Sequence, residues 1–585
     1  MTARRWTVHH CDEASAQALA RELGVPLAAA KLLCQRGLSD PAAASLYLAP
    51  KLEHLHDSYL MRGMRQAVER IRRAVAQQED ILIYGDYDVD GTTAVVILKT
   101  AIELVGGKCD FHVPHRIKEG YGIREDRIEA AAAAGVKLVI SVDTGIRAFA
   151  AAEAAKRFGL DLIVTDHHLP DDRGVPHALA VLNPNQQGCE YPCKELCGAG
   201  VAFKVAQALF AAEIPDSARA EKLTRSFLKM VAIATIADCM PLIGENRVFT
   251  KLGLEELRRP VNAGLRALFS VSQLDPAKKK LRSSDIGFRI GPRINAAGRM
   301  DVASDVIELF TCRDEARARE IATKLDELNT ERQQTEKRIV QEIEDRLATD
   351  EPLRESYCLV LDCDSWHRGV VGITASRVVE KYCRPALVIS RDAETGEAHG
   401  SGRSISAFHL LDALESCSHL FTRFGGHAHA VGFALPCDRV DELRRTLDSY
   451  ARTKLSPSDF VPELEADLEV GMSELTYDLL NALRRLEPFG IGNDEPTLVI
   501  RDAKLVGSPQ QIKEVHAKLR LFQPGARPLD ALAWRMYPRT QSEELIAGEL
   551  LDVAVRLSEN DHPDFGGLQL ELIDWQVKRA AAALV

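Results

Sequence analysis

The chain has 585 residues, 46% of them hydrophobic and 27% charged, with a formal net charge of −11 at pH 7. That length excludes a single hydrophobic core and predicts roughly three or four domains, while the acidic balance excludes a protein coated in basic charge but not a local basic channel. Thirteen cysteines behind an amino terminus without an apolar signal segment predict reduced thiols in a cytoplasm, and no apolar run reaches the roughly 20 residues of a membrane helix.

Residues 1 to about 50 read as a helical lead-in, in which Ala16-Gln-Ala-Leu-Ala-Arg-Glu-Leu ends at a capping Gly24. From about 80 to 185 strand signals alternate with helical ones. The first strand, residues 81–84, runs into Gly85-Asp-Tyr-Asp-Val-Asp-Gly91, which sets Asp86, Asp88 and Asp90 at alternate positions; a helix is predicted over 92–105. Three like charges in one turn are unfavourable without cations, and hard carboxylate oxygens suit Mg²⁺ or Mn²⁺. Two further apolar runs end the same way, at Asp143-Thr-Gly145 and at Asp166-His167-His168, and Asp238 follows the apolar run 231–237. Loops beyond the carboxyl ends of parallel strands converge. Acids at these ends therefore predict one site, where two metals about 4 Å apart would clamp a phosphoryl group and activate a water. Any one of these aspartates is explained equally well as a helix cap or turn former; the set together favours metal. An EF-hand fails on context, because a strand precedes the motif and its twelfth residue, Ile97, stands where a bidentate Glu is required.

Cys189, Cys193 and Cys197 recur at every fourth position without the tighter Cys-x-x-Cys hooks of structural zinc, which favours free thiols. Lys278-Lys-Lys280 reads as a solvated loop. Arg289, Arg293 and Arg299 border an Asn295-Ala-Ala-Gly298 turn, where they either meet phosphate or pair with carboxylates such as Asp301. Residues 313–347 carry apolar positions at helical spacing and predict one helix of about 50 Å. A second α/β unit occupies roughly 351–452, beginning with a strand at 357–361. Its Gly400-Ser-Gly-Arg403 is either a simple turn or a phosphate-binding tract, with close backbone approach, donors from Ser401 and the amides, and a bidentate fork from Arg403. Beyond 458, five strand-like runs (496–500, 517–522, 529–534, 551–557 and 568–573) fit an OB barrel. Phe522, Trp534, Lys518, Arg520 and Arg535 are available there to a single strand, with burial in the barrel core as the alternative for the aromatics.

The succession of Gly85-Asp-Tyr-Asp-Val-Asp-Gly91, Val142-Asp-Thr-Gly145, Asp166-His-His168 and Ala237-Asp-Cys-Met-Pro241 resembles the DHH phosphoesterase superfamily. Gly291-Pro-Arg-Ile-Asn-Ala-Ala-Gly-Arg299, Trp366-His-Arg-Gly-Val-Val-Gly-Ile373, Gly400-Ser-Gly-Arg403 and Gly425-Gly-His-Ala-His-Ala430 extend the likeness to its RecJ family of bacterial single-strand-specific exonucleases, over roughly residues 50–500. The resemblance implies that Asp88, Asp90, Asp143, His167 and Asp238 hold two Mn²⁺ or Mg²⁺ ions, with Asp143 bridging them. It places Asp166 behind an imidazole that it orients and His168 at the scissile phosphate. Other DHH subfamilies use a histidine four residues before their first motif aspartate, where this chain has Tyr84, so Asp86 is either a ligand or a near neighbour. Ser401, Gly402 and Arg403, joined by Arg116, would hold the 5′ end of the strand; Asn295, Arg299 and His427 would contact substrate, and His429 would be structural.

The implied architecture is multidomain α/β: a helical lead-in (1–50), a DHH catalytic domain with a parallel sheet (51–312), a connecting helix (313–350), a DHH-associated α/β domain (351–457) and an OB barrel (458–585). The implied activity is 5′→3′ exonucleolytic release of 5′-mononucleotides from single-stranded DNA in recombination and repair. The enzyme would be a cytoplasmic monomer with no membrane attachment, working beside a single-strand-binding protein or a helicase. Two alternatives are a DHH phosphodiesterase acting on short oligonucleotides or cyclic dinucleotides, and a noncatalytic DNA-binding scaffold.

Overall fold

The computed structural model describes residues 4–578 apart from 117, 118, 121, 301, 302, 561 and 563–565. Asp301, offered above as an ion-pair partner, lies outside the described residues. The chain forms two compact units, one of residues 56–240 and 252–461, the other of residues 1–55, 241–251 and 462–585.

The first unit opens with a parallel sheet of β1 (Asp80–Tyr84), β2 (Lys108–His112), β3 (Leu138–Val142), β4 (Asp161–Thr165) and β5 (Ala180–Leu182), in spatial order β2-β1-β3-β4-β5. Every residue of β3 is buried, as expected of a strand covered on both faces. Strand order reverses between β1 and β3, and a crevice opens at such a reversal beyond the carboxyl ends. Packed against the sheet are α1 (Val89–Leu104) and α2 (Gly198–Glu213), with α3 (Ser217–Ala237) packed on both helices. The helix predicted from Thr92 begins earlier, because Asp88 Oδ1 accepts from Gly91 N at 3.0 Å and caps it. Asp90 consequently sits inside the first helical turn.

The predicted turn at Asn295–Gly298 is instead part of a helix, α4 (Gly291–Met300), entered through a π-helical turn at Ile286–Ile290. Gly298 serves close approach, not chain reversal: a Cβ there would lie 2.3 Å from the carbonyl oxygen of Tyr87. The long helix α5 (Glu315–Thr349) has 35 residues, about 50 Å at 1.5 Å each, and buries Ile321, Leu325, Ile339, Ile343 and Leu347. It leads to a second sheet of β6 (Leu359–Cys363), β7 (Ala386–Arg391), β8 (Glu397–Arg403), β9 (Arg423–His427) and β10 (Ala430–Pro436), with α6 (Val371–Tyr382) crossing between β6 and β7. Spatial order is β9-β10-β8-β7-β6, parallel only at β6–β7. Val431, Phe433 and Leu435 of β10 turn one face of this sheet into a hydrophobic core with Leu387, Ile389 and Leu443.

In the second unit a seven-stranded sheet closes into a five-stranded barrel through pairing of Leu498–Leu505 with His516–Phe522, with Leu468–Glu469 and Gln510–Ile512 as outlying strands. The five expected runs are all present, the last two as long strands, Leu550–Asn560 and Gly567–Val577. Leu19, Leu32 and Leu33 from the amino-terminal helices share a core with Leu519, Val553 and Trp575 of the barrel, and strand Arg5–Val8 pairs in parallel with Glu463–Ala466. Trp534 is 50% exposed, with His516 edge-on at 5.1 Å, whereas Lys518 is tied to Asp530 at 2.7 Å. No helix among the described residues is long and apolar enough to cross a membrane.

Candidate metal centre and phosphate pocket

Because β1, β3 and β4 are neighbours that end in register, with Tyr84 beside Ser141 and Val142 beside Thr165, the residues after them meet at one point. His167 Nε2 stands 3.2 Å from Asp143 Oδ1, 3.7 Å from Asp90 Oδ2 and 3.8 Å from Asp238 Oδ2. Ligand atoms of Asp90, His167 and Asp238 lie within 4.8 Å of one another; so do those of Asp86, Asp88 and Asp143, and those of Asp143, His167 and His168. The structure thus gathers all five ligands implied by the resemblance and adds Asp86, which the sequence left open. None of these groups contains a cysteine; Cys197 instead caps α2, its Sγ accepting from Gly200 N at 3.4 Å.

These residues fit divalent cations. Asp86 Oδ1 and Asp238 Oδ2 are buried without a hydrogen-bond donor, a costly state for a carboxylate that a cation relieves. Burial, then like charge, holds four carboxyls above their usual range: Asp86 and Asp143 well above, Asp88 above, and Asp238 well above, with Asp88 acting on Asp86 and Asp90 acting on the other three. Burial lowers His167, which keeps its imidazole neutral and available as a ligand. Oxygen donors with one imidazole suit Mn²⁺ and Mg²⁺.

A pH dependence follows. Carboxyls raised in the fold make the folded state bind more protons than the unfolded chain. Metal-free stability is therefore lost as pH rises from the ordinary carboxylate range through the raised values. In EDTA the melting temperature is expected to fall as pH rises above the ordinary carboxylate range, with Mn²⁺ removing most of that slope and releasing protons on binding. Calorimetry reads both; a slope unchanged by Mn²⁺ would count against the site.

The surroundings hold these groups in place. Asp90 accepts from Gly198 N at 2.5 Å and Ala199 N at 2.8 Å, the first amides of α2, where the helix dipole favours an anion. Asp143 has left-handed backbone, φ 58°. A Cβ on Gly198 would lie 2.5 Å from Asp143 Cβ, so only glycine lets the helix start reach the site. Gly198→Ala is expected to cost about 1–3 kcal/mol of stability by overpacking and to weaken Mn²⁺ binding about tenfold, checked by melting and by metal titration. Asp166 Oδ1 accepts from His167 N at 2.7 Å, His168 N at 3.1 Å and His168 Nδ1 at 2.8 Å, and Oδ2 accepts from Ile146 N at 2.8 Å. Burial would raise the Asp166 carboxyl, but the bonds from His168 outweigh it and the net shift is downward. Burial opposes protonation of His168, yet Asp166 prevails and holds its imidazole above the usual range. Asn183 and Asn185 donate to the carbonyls of His168 and His167, each at 2.8 Å. Neither they nor the Gly198 and Ala199 amides were singled out in the sequence; their only trace is Asn183-Pro-Asn185 after β5 and Gly-Ala-Gly at the start of α2.

Beside the acids lies an arginine cluster. The Arg116 guanidinium stacks over Tyr87 at 5.0 Å from the ring centre. Arg299 donates to Gly369 O at 3.2 Å, and burial, then Arg116, pushes its pKa down to about 10. Arg403 donates to Ser401 Oγ at 3.0 Å and is likewise lowered by burial and by Arg116. Such mutual repulsion favours an anion between them. Gly402 turns the other way: a Cβ there would meet Val431 at 2.7 Å, so only its backbone faces the pocket, with its carbonyl accepting from Arg403 at 2.8 Å. His427 is exposed, its Nδ1 accepting from His429 N at 3.3 Å. Asn295 uses its carbonyl on Val89 N at 3.2 Å, joining α4 to α1. It also lines a cavity of about 380 Å³ with Arg299, Arg332 and the exposed Phe288. Arg289 and Arg293 take the ion-pair alternative, with Asp285 at 3.5 Å and Asp326 at 2.8 Å.

Residues 80–235 match the DHH family, N-terminal domain; residues 355–453 match the DHHA1 domain and residues 466–574 the RecJ OB domain. The single-stranded-DNA-specific exonuclease RecJ of Bacillus subtilis is 38% identical over 562 residues, 95% of this chain and 69% of that protein. Its counterpart in Dickeya dadantii is 37% identical over 90% of this chain and 93% of its own. RecJ of Thermus thermophilus, solved in complex with Mn²⁺, aligns with a TM-score of 0.82 at 28% identity, covering 98% of this chain and 80% of that one. With these three domains in this order, and such identity along nearly its whole length, the chain belongs to the RecJ family.

Proposed function

We propose that this protein is a single-stranded-DNA-specific exonuclease that digests from the 5′ end and releases 5′-mononucleotides by metal-dependent hydrolysis. The observation that carries the reading is the set of overlapping metal-capable groups built from Asp86, Asp88, Asp90, Asp143, His167 and Asp238, beside an arginine cluster whose members repel one another. The family relatives named above, single-stranded-DNA-specific exonucleases, support it. Asp90, His167 and Asp238 would hold one ion and Asp86 and Asp88 the other, with Asp143, 3.2 Å from His167 Nε2, shared between them. Mn²⁺ or Mg²⁺, when bound, supplies a water deprotonated near neutral pH and a counter-charge for the phosphoryl oxygens.

The protein's own residues do the rest. Arg116, Ser401 and Arg403 take the terminal 5′ phosphate and so fix which phosphodiester faces the acids. His168, held through Nδ1 by Asp166, donates a hydrogen bond to a phosphoryl oxygen as charge develops there. The water oxygen bonds to phosphorus, the P–O3′ bond breaks, and the shortened strand keeps a 5′ phosphate that re-enters the same pocket. Trp534, Arg520 and Arg535 of the barrel offer stacking and charge to single-stranded DNA. A cytoplasmic monomer acting beside a single-strand-binding protein or a helicase belongs to the same reading.

A small-phosphoester enzyme would prefer a dinucleotide. Rates are therefore compared on a long single strand, the same sequence as duplex, and a dinucleotide, at equal nucleotide concentration. The expected order puts the long single strand first by at least about tenfold in kcat/KM; preference for the dinucleotide would overturn the proposal.

A further inference from the structure

Side chains alternate along a strand, so Glu397, His399, Ser401 and Arg403 of β8 share one face of the second sheet. On β10 their register partners are Pro436, Ala434, Gly432 and Ala430, and on β9 these residues from Ala434 onward face Arg423, Gly425 and His427. The opposite face is the hydrophobic core. The outer face is consequently a trough. Its floor is Ala430, Gly432 and Ala434, and its walls carry Arg403 and His399 on one side and His427 and Arg423 on the other, about 10 Å apart at 4.8 Å per strand. It is open in its middle, where a Cβ on Gly425 or Gly432 would meet nothing within 4 Å, while at its outer end the floor residue Ala434 is buried beneath the walls.

The inner end of the trough is the pocket of Ser401, Arg403 and Arg116 already described. The outer end has no assigned purpose. There His399 sits two residues before Ser401, about 7 Å away along the strand. Arg423 lies across the floor from it, and Arg368, just ahead of α6, is within electrostatic range of Arg423, of the Glu397 carboxylate and of Arg116. Neither the Arg368 nor the Arg423 guanidinium has a hydrogen bond or a close ion pair among the described residues. Glu397 ends the trough, occupied by Thr422 Oγ1 at 2.9 Å and by His399 Nε2 at 3.3 Å. Burial and then Arg368 hold the His399 imidazole below its usual range, so it offers hydrogen bonds more than charge. Two unpartnered guanidinium groups continuing a line of phosphate donors suit further phosphates on the same chain end.

We propose that Arg368, His399 and Arg423 form a second anion subsite that takes the β- and γ-phosphates of a 5′-polyphosphate strand end, outward of the terminal-phosphate pocket. Strands begun de novo by a polymerase carry that end. The inference rests on the proposed 5′-end recognition and deepens it. Hydrolysis is unchanged in balance: water adds to phosphorus, the first P–O3′ bond breaks, and the terminal residue leaves as an intact nucleoside 5′-triphosphate.

The test compares one single strand with a 5′-hydroxyl, a 5′-monophosphate or a 5′-triphosphate, on wild type, Arg368→Ala and Arg423→Ala. Wild type is expected to digest the triphosphate strand with a KM no higher than that of the monophosphate strand, releasing nucleoside triphosphate first. Each variant is expected to raise KM for the triphosphate strand about tenfold, the loss of one charge-assisted contact, while digesting monophosphate strands as wild type does. Resistance of the triphosphate strand where the monophosphate strand is digested would overturn the subsite, as would variants that slow both strands alike. Inorganic tripolyphosphate, titrated calorimetrically into the full chain, decides independently of digestion. Binding weakened by Arg423→Ala supports the subsite even if no strand is digested and the exonuclease reading itself fails; binding indifferent to both variants contradicts it.

Discussion

Asp143→Asn is expected to abolish metal-dependent digestion, lowering kcat/KM by at least about 10³-fold. Asp143 groups with Asp86 and Asp88 and also stands 3.2 Å from His167 Nε2, the imidazole that groups with Asp90 and Asp238, so removing its charge weakens both halves of the site. Asparagine keeps the shape and tolerates the left-handed backbone at φ 58°, so the fold should survive. Metal-free stability should even rise, because one member of a crowd of buried carboxylates becomes neutral and no longer repels Asp90, Asp88 or Asp86. Single-turnover digestion in Mn²⁺ and calorimetry in EDTA check the two halves. A variant within tenfold of wild-type activity, or one less stable without metal, would contradict this role.

His168→Ala is expected to lower kcat about 10²- to 10³-fold with little change in KM or in Mn²⁺ affinity. Its Nδ1 is bonded to Asp166, so the loss falls on charge development at phosphorus. The sign of its pH dependence follows from the raised imidazole. Both the donor activity and the stability contributed by the His168–Asp166 contact are complete below the usual imidazole range and are lost as pH rises through the raised value. Asp166, lowered, contributes stability above the usual carboxylate range and loses it as pH falls through its lowered value. The alkaline limb of the kcat profile should therefore vanish in His168→Ala; an unchanged limb would assign that limb to another group.

Much of this site was legible in the sequence because its chemistry is concentrated at strand ends. Runs of apolar residues ending in Asp86-Tyr-Asp88, Asp143 and Asp166-His-His168 mark both the sheet and the residues it delivers, and parallel order makes them converge. The helix with Asp238 after it was legible for a different reason, its uninterrupted apolar run. What the sequence hid is what only backbone contact defines. The amides of Gly198 and Ala199 that fix Asp90 come from a helix start more than 100 residues away, and no side chain advertises them. Asn295–Gly298 looked like a turn because glycine usually breaks helices, whereas Gly298 is there to let α4 approach Tyr87. Arg289 and Arg293 resemble Arg299 by spacing, yet only tertiary neighbours, Asp285 and Asp326, divide ion pair from phosphate donor. The trough on the second sheet required register: Arg423 and His399 face one another only once β10 is known to lie between them.

The most direct measurement is digestion of an internally labelled single strand, blocked in turn at its 5′ and 3′ ends, in Mn²⁺ and in EDTA. Release of 5′-mononucleotides in Mn²⁺ that stops with the 5′ block, persists with the 3′ block and disappears in EDTA is the predicted result. Digestion that continues from a blocked 5′ end, or that survives EDTA, would contradict an acidic two-ion centre fed from a 5′-phosphate pocket.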